Sequence, residues 1–318
     1  MYNYAIKDPQ QNSRCPNPFS IQSDRSIQLL SKIKTCLFFV LLFALLVGPI
    51  QSAFAQTGRT LVFIVSRSDP QEPESTMDAA LMFERGKFKI PYVEQSEPAG
   101  KKFASEFYVP GKKYRVTFGG GEVGTATVKD SSWGCNNVHA RALVADAGKI
   151  PPRLSGLATN SSSIGKKPVA RRAPTPAERA EVMKLVNNIY RSRRTPASWM
   201  TGLQTTNLTA TDLNGDGKFE LIGSFLIETK TKQRRDLLMI AEPAGAVYTA
   251  TFVSFQAYKL GAEGFDSAID FVDQLDVDGD GVGEVFATQH GFDAYGYNIY
   301  KKVNRRWRLI LSMTGDAC

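Results

Sequence analysis

The sequence predicts a mainly β chain in two folded parts, and three observations carry that prediction. Short β-prone runs broken by Gly and Pro fill residues 57–148. A single helical pattern opens the second part at Thr175. Beyond Ser198 the chain repeats itself, each copy giving a lead-in strand, an acidic loop, an exit strand and two further strands.

The first 55 residues have the organisation of a signal peptide. Lys32 and Lys34 precede an apolar run from Cys36 to Val47, then Gly48-Pro49, then the small-x-small triplet Ala53-Phe54-Ala55. The apolar run is shorter than the roughly 20 residues a spanning helix needs, so cleavage after Ala55 is expected rather than a permanent anchor. The long polar stretch before it leaves a retained signal anchor, or a start codon assigned too early, as the alternatives. Either way the chain is expected to be exported, secreted or held in a periplasm-like or cell-surface location.

Residues 57–148 are expected to form a small β-rich domain, a compact antiparallel sheet or sandwich. Thr60 to Val65 is an apolar run, Phe103 to Val109 mixes aromatics with polar residues, and Tyr114 to Phe118 alternates before Gly119-Gly120-Gly121. Residues 149–174 hold Pro151-Pro152, three serines at 161–163 and six bases with no acid, which predicts a basic flexible linker. The net charge of +8 is therefore concentrated in the leader and this stretch, and the remaining chain is close to neutral. That distribution argues against nucleic-acid binding and is compatible with an anionic cell surface.

Thr175-Pro176-Ala177-Glu178 combines an N-cap, a proline at the first helical position and the glutamate of a capping box. Val182, Leu185, Val186, Ile189 and Tyr190 recur at helical spacing, giving one apolar face to lay on a sheet. The strands expected after it are Thr205 to Thr211, Leu221 to Ile227, Arg235 to Glu242 and Val247 to Phe255, then Ser267 to Gln274, Val285 to Gln289, Tyr297 to Lys302 and Arg306 to Met313. Four strands around each loop are what a propeller blade needs, yet two copies cannot close a ring. The expected architecture of 175–318 is a two-blade, propeller-like antiparallel unit preceded by one helix.

The acidic loops carry the chemistry. Asp212-Leu-Asn-Gly-Asp-Gly-Lys-Phe-Glu220 and Asp276-Val-Asp-Gly-Asp-Gly-Val-Gly-Glu284 share one pattern at an offset of 64 residues. Hard Ca²⁺ takes six to eight oxygens, and alternate side chains on a tight loop can aim several at one point. Asp212, Asn214, Asp216 and Glu220 supply the first candidate set, and Asp276, Asp278, Asp280 and Glu284 the second. An EF-hand closes with an acid at position twelve, where this chain has Gly223 and Ala287. Here the acid stands at position nine and β-prone residues follow, which places each loop between two strands.

With that spacing, residues 205–318 resemble the FG-GAP and VCBS-type repeats of integrin alpha-chain-like β-propellers, whose loops bind calcium between two strands of a blade. The resemblance implies Ca²⁺ as cofactor, held by the side chains just named and by the main-chain carbonyls of Lys218 and Val282 at position seven. It also implies a binding, adhesion or structural role, with a protein or carbohydrate as ligand.

Other chemistry is sparse. Gly119, Gly121 and Gly124 match Gly-x-Gly-x-x-Gly, but strand-like Thr125-Ala-Thr-Val128 follows instead of a helix, so a hairpin turn is expected. The only histidines are His139 and His290, outside any zinc or hydrolase pattern. After cleavage two cysteines remain, Cys135 and Cys318, either as one disulfide or as two thiols. His139 near Cys135 makes a secreted enzyme with its site in the first domain the competing reading. Phe292, Tyr295 and Tyr297 on a glycine-rich stretch either face a ligand or pack the hairpin against Trp307. Lys301, Lys302, Arg305, Arg306 and Arg308 are expected on a solvated strand face.

Overall fold

The computed structural model describes residues 58–66, 74–92, 95–145, 150, 155–245, 247–260, 268–290 and 294–317. The expected signal peptide, Cys318 and Phe292 lie outside these residues. Residues Ala55–Cys318 form one compact unit, where two domains joined by a linker were expected. Among the described residues no helix is long and apolar enough to cross a membrane.

The first part is a closed barrel rather than an open sheet or sandwich. Its strands are β1 (Thr60–Ser66), β2 (Glu74–Glu84), β4 (Lys113–Phe118), β5 (Gly121–Trp133), β6 (Val138–Ala145) and β7 (Gly156–Thr159), with β3 (Lys87–Lys89) added at the edge of β2. The order β1-β7-β4-β5-β6-β2 returns to β1 through antiparallel pairing along Thr60 to Ser66. Closure depends on β7, which lies inside the stretch expected to be a linker. Gly156-Leu-Ala-Thr159 is wholly buried, pairing β1 on one side and β4 on the other. A closed sheet has no unpaired edge, and four residues suffice to remove it here.

Strand alternation divides the barrel wall. Leu61, Phe63 and Val65 point inward with Met77, Tyr114, Val116, Ala126 and Ala140, and helix α1 (Glu97–Phe107) adds Phe103 and Phe107 to the same core. The Phe103–Val109 stretch is thus mostly helical, with its aromatics spaced to one face. Val62 and Ile64 point outward, and they too are fully buried.

What buries them is the second part. Helix α2 (Pro176–Ser192) and a short 3₁₀ turn (Ala197–Gly202) lead into β9 (Leu203–Thr211), β10 (Glu220–Glu228), β11 (Gln233–Ala244) and β12 (Val247–Lys259), with β8 (Arg171–Arg172) pairing β9 at the far edge. Next come β13 (Ala268–Leu275), β14 (Glu284–His290), β15 (Ala294–Val303) and β16 (Arg306–Ala317), a four-stranded antiparallel meander. All eight expected strands form, seven of them longer by two or more residues and Ser267–Gln274 shifted by one to Ala268–Leu275.

Side-chain period two stacks these layers. On β10 and β11, Leu221, Phe225, Ile227, Leu237 and Met239 meet α2, while Ile222, Leu238 and Ile240 meet Val285, Ala287, Tyr300 and Trp307 of the second meander. The other face of that meander, Phe286, Tyr297 and Ile299, covers Val62, Ile64, Leu81 and Leu157 of the barrel. The order of layers is helix, first meander, second meander, barrel.

Candidate metal centre

Each acidic loop is built by its own carboxylates. In the first, both Asp212 oxygens accept backbone N–H bonds, from Gly215 at 2.7 Å and Gly217 at 3.0 Å. In the second, Asp276 accepts from Gly279 at 2.9 Å and Gly281 at 3.1 Å. Asp216 and Asp280 accept from Lys218 and Val282 at 2.8 and 2.9 Å. Glu220 and Glu284, at the first positions of β10 and β14, reach back to the N–H groups of Leu213 and Val277, both at 2.8 Å. The turns need positive φ at Gly215 and Gly217 (74° and 80°) and at Gly279 and Gly281 (78° and 95°), which a Cβ would resist. Shared spacing in the sequence has become shared geometry.

The copies also touch at equivalent positions. Thr206 Oγ1 donates to Asp270 and Asn207 Nδ2 to the Phe271 carbonyl, each across the 64-residue offset. Gly283 N–H donates to the Leu213 carbonyl at 2.7 Å, tying one loop to the other. Both loops border a groove of about 680 Å³ whose other wall is the Gly119-Gly120 turn and residues 163–170.

Both loops present oxygen donors of the kind a hard divalent ion takes. Glu220 is 4% exposed, and no ion pair to it forms among the described residues. Burial pushes its carboxyl up to about 7, with Glu242 and Asp212 adding to the rise. A buried carboxylate without a cation is costly, and a bound cation would remove that cost. In the second loop, oxygens of Asp276, Asp278 and Glu284 come within 4.8 Å of one another, close enough to share an ion. There, however, Lys301 of β15 reaches in: its Nζ lies 3.0 Å from Asp278, 2.6 Å from Asp280 and 2.8 Å from Glu284. Burial pulls the ammonium pKa down, and the bonds to Asp280 and Glu284 more than offset it, so the group stays charged.

Lys301 was expected on a solvated face. The signal for its real place is the hairpin register: Val285 pairs Tyr300, which sets Lys301 beside Glu284. In the first copy Leu221 pairs Ala241, so the matching position is Glu242, engaged by Lys302 and Trp307 at 2.6 and 2.8 Å.

Two bases of the expected linker also belong to this region. Lys167 Nζ lies 3.4 Å from the Gly281 carbonyl and 3.8 Å from Asp276. Arg171, with its side chain 2% exposed, pairs with fully buried Asp273 at 3.1 Å and lies between the rings of Phe118 and Phe271 at 4.5 and 4.7 Å. Asp273 also accepts from Gly119 N–H at 2.9 and 3.0 Å. Residues 163–172 are therefore fastened to barrel and meanders, and the expectation of a flexible linker is corrected there. Dense bases without acids in sequence find their acids in space.

The other described candidates take places in a turn, a disulfide and the core. Gly119 and Gly120, at φ 59° and 74°, form the two-residue turn of the β4–β5 hairpin, as the strand context required. Cys135 is disulfide-bonded, to a partner outside the described residues, so it offers no thiolate to His139. His139 Nε2 instead meets Ser132 Oγ at 3.0 Å. Tyr297 is 3% exposed and donates to buried Asp78 at 2.9 Å, which makes it a core residue against the barrel; Trp307 packs on the opposite face. Comparison with family models, curated proteins and solved structures finds no match to this chain.

Proposed function

We propose that this chain is an exported calcium-binding protein with a binding, adhesion or structural role at a cell surface or in a periplasm-like space. Its two meanders would then be FG-GAP/VCBS-like blades, stacked as a two-blade unit and capped by α2 and the barrel instead of closing a ring. The observation that carries the reading is the first loop, where Asp212, Asn214, Asp216 and buried Glu220 surround a turn and, among the described residues, form no ion pair. Calcium there would clamp β9 to β10, because Asp212 ends one strand and Glu220 begins the next. The Lys218 carbonyl would complete the set. The groove beside the loops is the natural place for a protein or carbohydrate ligand. Modules of this kind in extracellular calcium bind at about 10⁻⁴ to 10⁻³ M, so the ion would be a standing part of the fold.

Calorimetry of the full chain with calcium, after chelator treatment, tests the proposal. At least one ion should bind, with a melting temperature that rises on calcium addition and falls again with chelator. Absence of binding heat together with an unchanged melting temperature would overturn it.

A further inference from the structure

We propose that Lys301 is the built-in cation of the second loop, so that the chain takes a single divalent ion, at the first loop. This rests on the calcium reading of the first loop and changes its count from two to one.

The two loops share their backbone pattern and differ in what neutralises them. Lys301 Nζ makes close contacts with carboxylates at loop positions three, five and nine, a set that would otherwise face a metal. Calcium bonded to those oxygens at about 2.3–2.6 Å would have to occupy nearly the point the ammonium holds. Two cations cannot share it, and the lysine is tethered. Its side chain is only 14% exposed, and the ammonium lies 5.6 Å from the ring centroid of Phe88 on β3, so the barrel edge holds it from the other side. Glu284, fully buried, thus accepts from an ammonium of its own chain at 2.8 Å.

The first loop has the opposite arrangement. At the register position of Lys301 stands Glu242, which adds negative charge next to Glu220 and spends its own hydrogen bonds on Lys302, Trp307 and Thr251. Glu220, nearly as buried as Glu284, accepts from the Leu213 N–H, and among the described residues no ammonium pairs with it. One loop is closed by an internal charge and the other requires an external one. The molecule then carries a calcium-independent clamp on β13 and β14 beside a calcium-dependent clamp on β9 and β10.

Counting ions on the full chain tests this by native mass spectrometry and calorimetry with calcium alone as probe. Wild type should bind one ion, Glu220→Gln should lose it or weaken it at least tenfold, and Lys301→Gln should bind two. Metal-free Lys301→Gln should melt below wild type and recover more on calcium addition, because Glu284 is then left without its cation. Two ions on wild type, or one retained with unchanged affinity in Glu220→Gln, would overturn the inference while leaving the calcium reading intact. No ion on any variant would overturn the calcium reading itself. A wild-type count of two decides against the inference even if a variant fails to fold.

Discussion

At the scale of single residues, Arg171 and Asp273 show how a charge becomes structural. Both are removed from water, and each is compensated several times: the carboxylate by Gly119 N–H and the guanidinium, the guanidinium by the Val272 carbonyl and two aromatic faces. Such a pair adds little relative to apolar residues of the same volume, yet losing one member strands the other. Asp273→Asn is expected to cost about 3–5 kcal/mol in urea unfolding. A loss below about 1 kcal/mol would show that the pair does not couple barrel to meander. Neither residue stood out in the sequence. Arg171 was one of six bases in a Ser- and Pro-containing stretch, and Asp273 one acid just before a loop full of them. The candidate metal ligands are legible as a pattern because local spacing defines it, whereas Lys301, Arg171 and their acids are brought together only by register and long-range packing.

At the scale of elements, local signals predicted α2 well because its ends are encoded locally. Thr175 Oγ1 accepts from Glu178 N–H at 3.2 Å, Glu178 accepts from Thr175 N–H at 2.7 Å, and Val182, Val186 and Tyr190 are fully buried on the first meander. Arg172 adds a bidentate pair to Glu178, both bonds at 2.7 Å. The guanidinium holds the Glu178 carboxyl down at about 2, with the cap N–H helping. Since the folded pKa lies below the unfolded value near 4.5, this stabilisation is present above about 4.5 and is lost as pH falls through 2. With Arg172 over a third exposed, the screened contribution is about 1 kcal/mol. Arg172→Met should therefore lower stability at pH 7 by that amount and flatten the acid limb between pH 4.5 and 2, as read by chemical unfolding at each pH. An unchanged acid limb would rule the pair out as its source. Strands β7 and β8 escaped prediction for the converse reason. Four and two residues are too short to show a period, and their partners lie far along the chain.

At the scale of the whole molecule, the stack of helix, two meanders and barrel explains how two meanders fold without a ring. Each meander has two apolar faces, and the faces left over at the ends are covered by α2 and by the outer wall of the barrel. The Tyr297–Asp78 hydrogen bond, across 219 residues, shows how far apart in sequence the layers are that must meet. A fragment ending at residue 174 is accordingly expected to express as insoluble or dye-binding material, because Val62, Ile64, Leu81 and Leu157 would face water. A soluble, monomeric fragment with native-like melting would contradict the shared core. The barrel wall also limits how the chain can be altered. A meander whose outer face is committed to another part of the same chain cannot be deleted or exchanged without stripping that cover, so removing β13 to β16 would leave Val62, Ile64 and Leu157 bare.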